Sequence, residues 1–198
     1  MKIRTNAHKA ISSAAIAAMV AFIALTTPRI SAQTGSLVSS SWTHGVSVQI
    51  EDPSQIASLS RRGFAAQLRT YSQTWVHFAI PTPVIQSGTR LRLQRVMLLW
   101  STDQVTYSLP PQAFAYVRAL HVWDGDKKLA EFGGFNTIGH CTTTIGCGYE
   151  VINPFNIPGA PYVNYGIVVS LLIDAPVGVN LKSVGGDFYT YSPPPQSY

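Results

Sequence analysis

Charge is what this chain has least of: Asp, Glu, Lys and Arg together make up 12% of its 198 residues, and only nine residues are acidic. So few carboxylates leave little for paired-acid hydrolysis, and the adjacent pair Glu51-Asp52 would point to opposite faces of a strand. Signatures of common enzymes are also missing: there is no G-x-S-x-G elbow, no H-E-x-x-H, no phosphate loop and no dinucleotide fingerprint. The longest uncharged leader run, Ala10 to Leu25, is shorter than the ~20 strongly apolar residues of a spanning helix. No repeat of fixed period and no linker divides the chain, and nothing after residue 32 shows a sustained helical period.

What is there begins with an export signal. Lys2, Arg4 and Lys9 precede the Ala/Ile/Val-rich run, and Ile30-Ser31-Ala32 places a small residue where a peptidase would cut before Gln33. Residues 1–32 therefore read as a cleavable signal peptide and the rest as secreted or periplasmic. With no lipobox cysteine at the cut and no C-terminal hydrophobic anchor, no membrane anchor is expected. Removing residues 1–32 also removes four of the 14 Lys/Arg and leaves ten against nine acids, a net charge of +1. The whole-chain pI near 9.4 thus carries no argument for nucleic acid. Arg90, Arg92 and Arg95 are the densest basic group, and Arg90 and Arg92 alternate as a solvated strand face would.

The remaining 166 residues suit a single core. Gly and Pro punctuate short segments of period two, which marks strands. Trp42 to Ile50 alternates, with Trp42, His44, Val46, Val48 and Ile50 on one face, which predicts a half-buried strand with Trp42 in the core. Ile56 to Arg62 reads as a helical turn, and Phe64, Ala66 and Leu68 restart the alternation. Thr74 to Ile80 turns Val76, Phe78 and Ile80 to one side and ends at Pro81-Thr82-Pro83. Leu91 to Ser101 and Tyr165 to Ile173 are apolar enough for central strands. Tyr116 to Trp123 and Lys128 to Phe132 flank Asp124-Gly125, a hairpin signal. Tyr149 to Ile152 and Leu181 to Tyr191 complete the set, while Thr102 to Gln112, Gly133 to Gly148 and Asn153 to Pro161 read as loops. The expectation is all-β: one antiparallel, jelly-roll-like sandwich of eight to ten strands over residues 41–191, after a flexible segment 33–40 and before a Pro-rich tail 192–198.

Cys141 and Cys147 lie close together in an exported chain, which predicts a disulfide that rigidifies their loop, worth about 2 kcal/mol. They lack Cys-x-x-Cys spacing for redox work, and a zinc site would need further ligands where only His140 is near. Asp124 and Asp126 flank Gly125 as turn residues and fall short of the 6–8 oxygens calcium takes. No metal or cofactor is expected. Trp and His recur two apart in Trp42-Thr43-His44, Trp75-Val76-His77 and His121-Val122-Trp123, so each pair shares a strand face. Indoles stack on sugar rings and imidazoles add hydrogen bonds, or the same groups cap a core. Trp75 and His77 oppose an apolar face, which makes Trp75, His77, His121 and Trp123 the candidate ligand-binding residues; no catalytic residue is assigned.

Ser41-Trp42-Thr43-His44-Gly45, Trp75-Val76-His77-Phe78 followed by Ile80-Pro81-Thr82-Pro83-Val84, and His121-Val122-Trp123-Asp124-Gly125 resemble a family of small, uncharacterised bacterial β-sandwich proteins. That family carries S-W-x-H-G, W-x-H-x-x-I-P-T-P-V and H-V-x-D-G motifs. The resemblance covers Ser41 to about Ile173 and implies one β domain with no established activity. The functional expectation is a secreted, non-enzymatic binding module for carbohydrate or a cell-surface glycan. The alternatives are a structural or self-associating extracellular protein whose partner is another protein, and a hydrolase assembled from distant strands.

Overall fold

The computed structural model describes residues 35–102, 115–133 and 151–191. The leader, the loop after Thr102, the cysteine loop with Cys141 and Cys147, and the tail lie outside the described residues. Among the described residues thirteen strands run in chain order: β1 Gly35–His44, β2 Gln49–Ile50, β3 Ile56–Arg62, β4 Ala65–Thr70, β5 Thr74–Ile80, β6 Ile85–Gln86, β7 Thr89–Arg90, β8 Arg92–Thr102, β9 Tyr116–Asp124, β10 Lys127–Gly133, β11 Val151–Asn156, β12 Ile167–Asp174 and β13 Val179–Tyr191. Two 3₁₀ turns, Gly45–Ser47 and Pro53–Gln55, are the helical elements among the described residues. β2, β6 and β7 have two residues each, so ten strands are of working length.

Among the described residues these form two large antiparallel sheets and a two-stranded ribbon, β6–β7. One large sheet has the order β11-β8-β13-β4-β3, with β1 also on β13; the other has the order β10-β9-β12-β5-β2. The sheets are fixed by alternation: Val76, Phe78 and Ile80 of β5, Val169 and Leu171 of β12, and Val96 and Leu98 of β8 are buried in one apolar cluster. The most apolar runs became inner strands, β8 between β11 and β13 and β12 between β5 and β9, as burial on both faces requires.

Four expectations need correcting. Residues 153–156, expected in a loop, belong to β11 and lie opposite Leu98 to Arg95, because an edge strand tolerates a proline such as Pro154. Residues 35–40 are part of β1, paired to β13 from Gly35 opposite Tyr191 onward, so the segment expected to be flexible is strand where described. Ile56–Arg62 is β3, because the ladder it forms with β4 along its length outweighs any local helical preference. Trp42 to Ile50 is not one strand. β13 pairs through Ser183–Tyr191 with β1 and through Val179–Leu181 with β4, so β4 takes over the edge where β1 stops. The chain must leave there, and it does so in the turn Gly45–Ser47 before β2 joins β5 in the other sheet. Alternation across that crossing has no common face, and Trp42, expected in the core, is 39% exposed.

The crossing explains the residues of Ser41-Trp42-Thr43-His44-Gly45. Trp42 lies opposite Gly185 with its indole flat on that glycine, so that a Cβ there would stand 2.5 Å from the ring. His44 Nδ1 accepts from the Val46 N–H at 3.2 Å and caps the turn. Arg61 from β3 donates to the carbonyls of Val46 and Val48 at 2.9 and 3.0 Å and satisfies the irregular backbone.

Candidate functional site

The outer face of the second sheet carries the predicted patch. Because Val76 and Phe78 point inward, pleat geometry turns Trp75 and His77 outward. Ser170 of β12 lies opposite both His77 of β5 and His121 of β9, Gln49 lies beyond His77 and Glu131 beyond His121. One polar row therefore crosses all five strands. Trp75 and Trp123 stand on opposite sides of it, level with Leu172 and Val168.

Side chains close this row into an open pocket of about 360 Å³, lined by Glu51, Trp75, His77, His121, Trp123 and Ser170. All four ligand-binding residues expected from the sequence are in it. The His121 ring lies 4.6 Å from that of Trp75 at 39° and 6.1 Å from that of Trp123, edge-on, within the range of favourable aromatic pairs. His77 Nδ1 is 2.9 Å from Ser170 Oγ and its Nε2 is 3.0 Å from Glu51 Oε2. His121 Nε2 is 3.5 Å from Glu131 Oε1. Glu131 also binds Lys128, whose ammonium rests 5.8 Å from the Trp123 ring centroid. The hydrogen bond from Lys128 holds the Glu131 carboxyl below its usual range.

Sequence reading missed Glu51, Ser170, Lys128 and Glu131 as members of this site. Ser170 left a signal, as the single polar residue in the apolar run from Ile167 to Ile173; Glu51 left none, since its place depends on the crossing at Gly45. His44 and Trp42, the third Trp/His pair, are outside the pocket lining.

Asp124 does something else. Its side chain is 1% exposed. Oδ2 accepts from the Asn164 backbone and amide at 2.7 and 3.2 Å, and Oδ1 accepts from the N–H groups of Tyr165 and Gly166 at 2.8 and 3.0 Å. Burial alone would raise its pKa, yet the donors from Gly166, Tyr165 and Asn164 outweigh it and hold the carboxyl below the usual range. With its oxygens facing N–H groups, Asp124 pins the loop before β12 to the β9–β10 hairpin. Gly125 follows with φ 62°, the conformation a two-residue hairpin loop needs. A Cβ there would stand 2.9 Å from the Tyr165 ring. Thr82 acts in the same way nearby: its hydroxyl donates to the Ile80 carbonyl at 2.7 Å and accepts from the Ile167 N–H at 3.0 Å.

The motif residues thus divide into pocket lining and backbone locks. A family model for a family of unknown function, DUF6623, matches residues 38–184, which takes in β1 through the first half of β13. The chain belongs to that family. The expectation of an uncharacterised family holds, and the DUF6623 match contains all six pocket-lining residues. No curated protein matches the chain. Among the described residues no three His, Cys, Asp or Glu side chains are grouped to hold a metal ion, and no helix is long and apolar enough to cross a membrane.

Proposed function

We propose that this DUF6623 chain is a binding module that takes a carbohydrate, such as a cell-surface glycan, in the pocket formed by Trp75, His77, His121 and Trp123. The observation that carries the reading is the pairing of two half-exposed indoles with a hydrogen-bonded polar row on a rigid sheet. Sugars need both parts: apolar C–H faces stack on indoles, and hydroxyl groups exchange hydrogen bonds with imidazole, carboxylate and hydroxyl partners. The β5–β12–β9 frame holds them with neighbouring strands about 4.8 Å apart, so little ordering is left for binding to oppose. In this reading the two sheets pack face to face as a jelly-roll-like sandwich, supported by the single apolar cluster to which both contribute. A glycan array probed with residues 33–198 should give hits that Trp75→Ala removes; an array without hits, or with hits the variant keeps, would contradict the assignment.

One observation favours a hydrolytic reading, the hydrogen-bonded series Glu51, His77, Ser170. Against it, Ser170 is 5% exposed and sits inside a strand paired on both sides. The backbone N–H groups of β12 beside Ser170 are therefore engaged in the ladders and are not left to face a developing oxyanion. Release of p-nitrophenol from an acyl ester, abolished by Ser170→Ala, would establish that reading.

We also propose export, with cleavage before Gln33 and a Cys141–Cys147 bridge, on the strength of the charged leader, the Ile30-Ser31-Ala32 end and the short cysteine spacing. The intact mass of exported protein should correspond to residues 33–198 less two hydrogens. A retained Met1 terminus or two alkylatable thiols would overturn the respective part.

A further inference from the structure

We infer that the sugar taken by this pocket carries a positively charged amine, with its ring on Trp75 and its ammonium on Glu51. The inference rests on the carbohydrate reading above and adds the chemical class of the ligand. Among the described residues, Glu51 is the one formally charged residue, His aside, in the pocket lining. Glu131 and Asp174, the other carboxylates of this face among the described residues, are already matched by Lys128 and Arg118. Glu51 is matched only through Oε2, by His77, and its side chain is 59% exposed. The local balance is therefore one accessible carboxylate beside two indoles.

The placement is fixed by backbone. The Glu51 N–H donates to the Trp75 carbonyl at 3.1 Å, so the carboxylate and the indole are neighbours at the β2–β5 edge. A ring stacked on Trp75 would present a substituent to Glu51 without leaving the sheet face. Indole faces attract cations, and the protein already uses this within the same site, where the Lys128 ammonium lies over Trp123. The Trp123 face is already occupied by Lys128, whereas Glu51 is accessible, so an ammonium-bearing ligand has one preferred direction, amine toward Glu51. A phosphorylated or carboxylated sugar would meet the opposite situation at Glu51 and be disfavoured.

The test uses one oligosaccharide backbone in three forms: a glucosamine tetramer with free amines, its N-acetylated form, and its N-trimethylated form, whose charge does not depend on pH. Titration calorimetry on residues 33–198 should give both cationic forms about tenfold tighter than the N-acetylated one. Glu51→Gln, which keeps an oxygen and an amide at the same place, should bring that ratio close to one. Glu51→Lys should reverse it. Thermal midpoints of both variants are measured alongside, and a ratio is read only from folded protein. Equal binding of all three forms, lost in Trp75→Ala, would overturn the amine inference and leave the carbohydrate pocket standing. A cationic preference that Glu51→Gln does not change would overturn it too, because the ammonium would then lie elsewhere. No binding of any form would overturn the amine inference, and the glycan array decides separately whether the carbohydrate pocket stands.

Discussion

Gly45→Ala should abolish folding or come close to it. The added Cβ would stand 1.7 Å from the Leu181 carbonyl oxygen and 2.6 Å from its carbon, and both are backbone atoms of a strand paired on two sides. No rotamer change can relieve such a clash, so β1 or β13 must shift, and with it the point where the chain crosses between sheets. A cost of roughly 4 kcal/mol or more is expected, against a total stability of about 5–15 kcal/mol for a typical domain. Gly63→Ala is the control: its Cβ would meet nothing within 4 Å, and a change within about 0.5 kcal/mol is expected. Urea midpoints of the two variants check this, and a folded Gly45→Ala protein with an unchanged midpoint would remove Gly45 from its assigned role.

Asp124→Asn should be the second most damaging substitution. The amide keeps the shape of the carboxylate but turns an NH₂ group toward backbone donors that now have no acceptor. Four N–H bonds converge on Asp124, and orphaning buried donors is costly, so a loss of about 3 kcal/mol is expected. The pH dependence has a definite sign. The folded carboxyl titrates below its ordinary value, so its contribution is complete above the unfolded pKa of about 3.9 and fades as pH falls through the folded one. Wild type and Asp124→Asn should therefore converge in stability on acidification. Denaturation at a series of pH values checks it; a gap that stays constant or widens toward acid would contradict the assignment.

These two residues also show where sequence reading reached and where it stopped. Thr74–Ile80 was legible to its ends, because its alternation is closed by Pro81-Thr82-Pro83 and one face is wholly apolar. The same alternation put Trp75 and His77 outward, and the hairpin signal at Asp124-Gly125 closed the strand that carries His121 and Trp123. Period two says which face a residue takes and nothing about which strands are neighbours. Ser170 was therefore invisible as the bridge between His77 and His121, a relation that exists only because β12 inserts between β5 and β9. Trp42 failed for a related reason. The pattern from Trp42 to Ile50 continues through a change of sheet, and a turn with a buried glycine can carry an alternating sequence without a common face. Asp124 was read as a turn residue, which it is by position. Its larger role depends on a loop forty residues away that no local pattern announces.

The central claim is that the pocket tryptophans bind while the Trp42 side chain braces a sheet edge. One measurement tests it most directly: a ligand titration and a urea denaturation run in parallel on Trp75→Ala and Trp42→Ala, with the strongest glycan-array hit as ligand. Trp75→Ala should lose most of the affinity while its midpoint moves little. Trp42→Ala, half-exposed but stacked on Gly185, should lose about 1 kcal/mol of stability and keep its affinity. Equal affinities with a large destabilisation by Trp75→Ala would show that this indole is structural, and the pocket would no longer be a binding site.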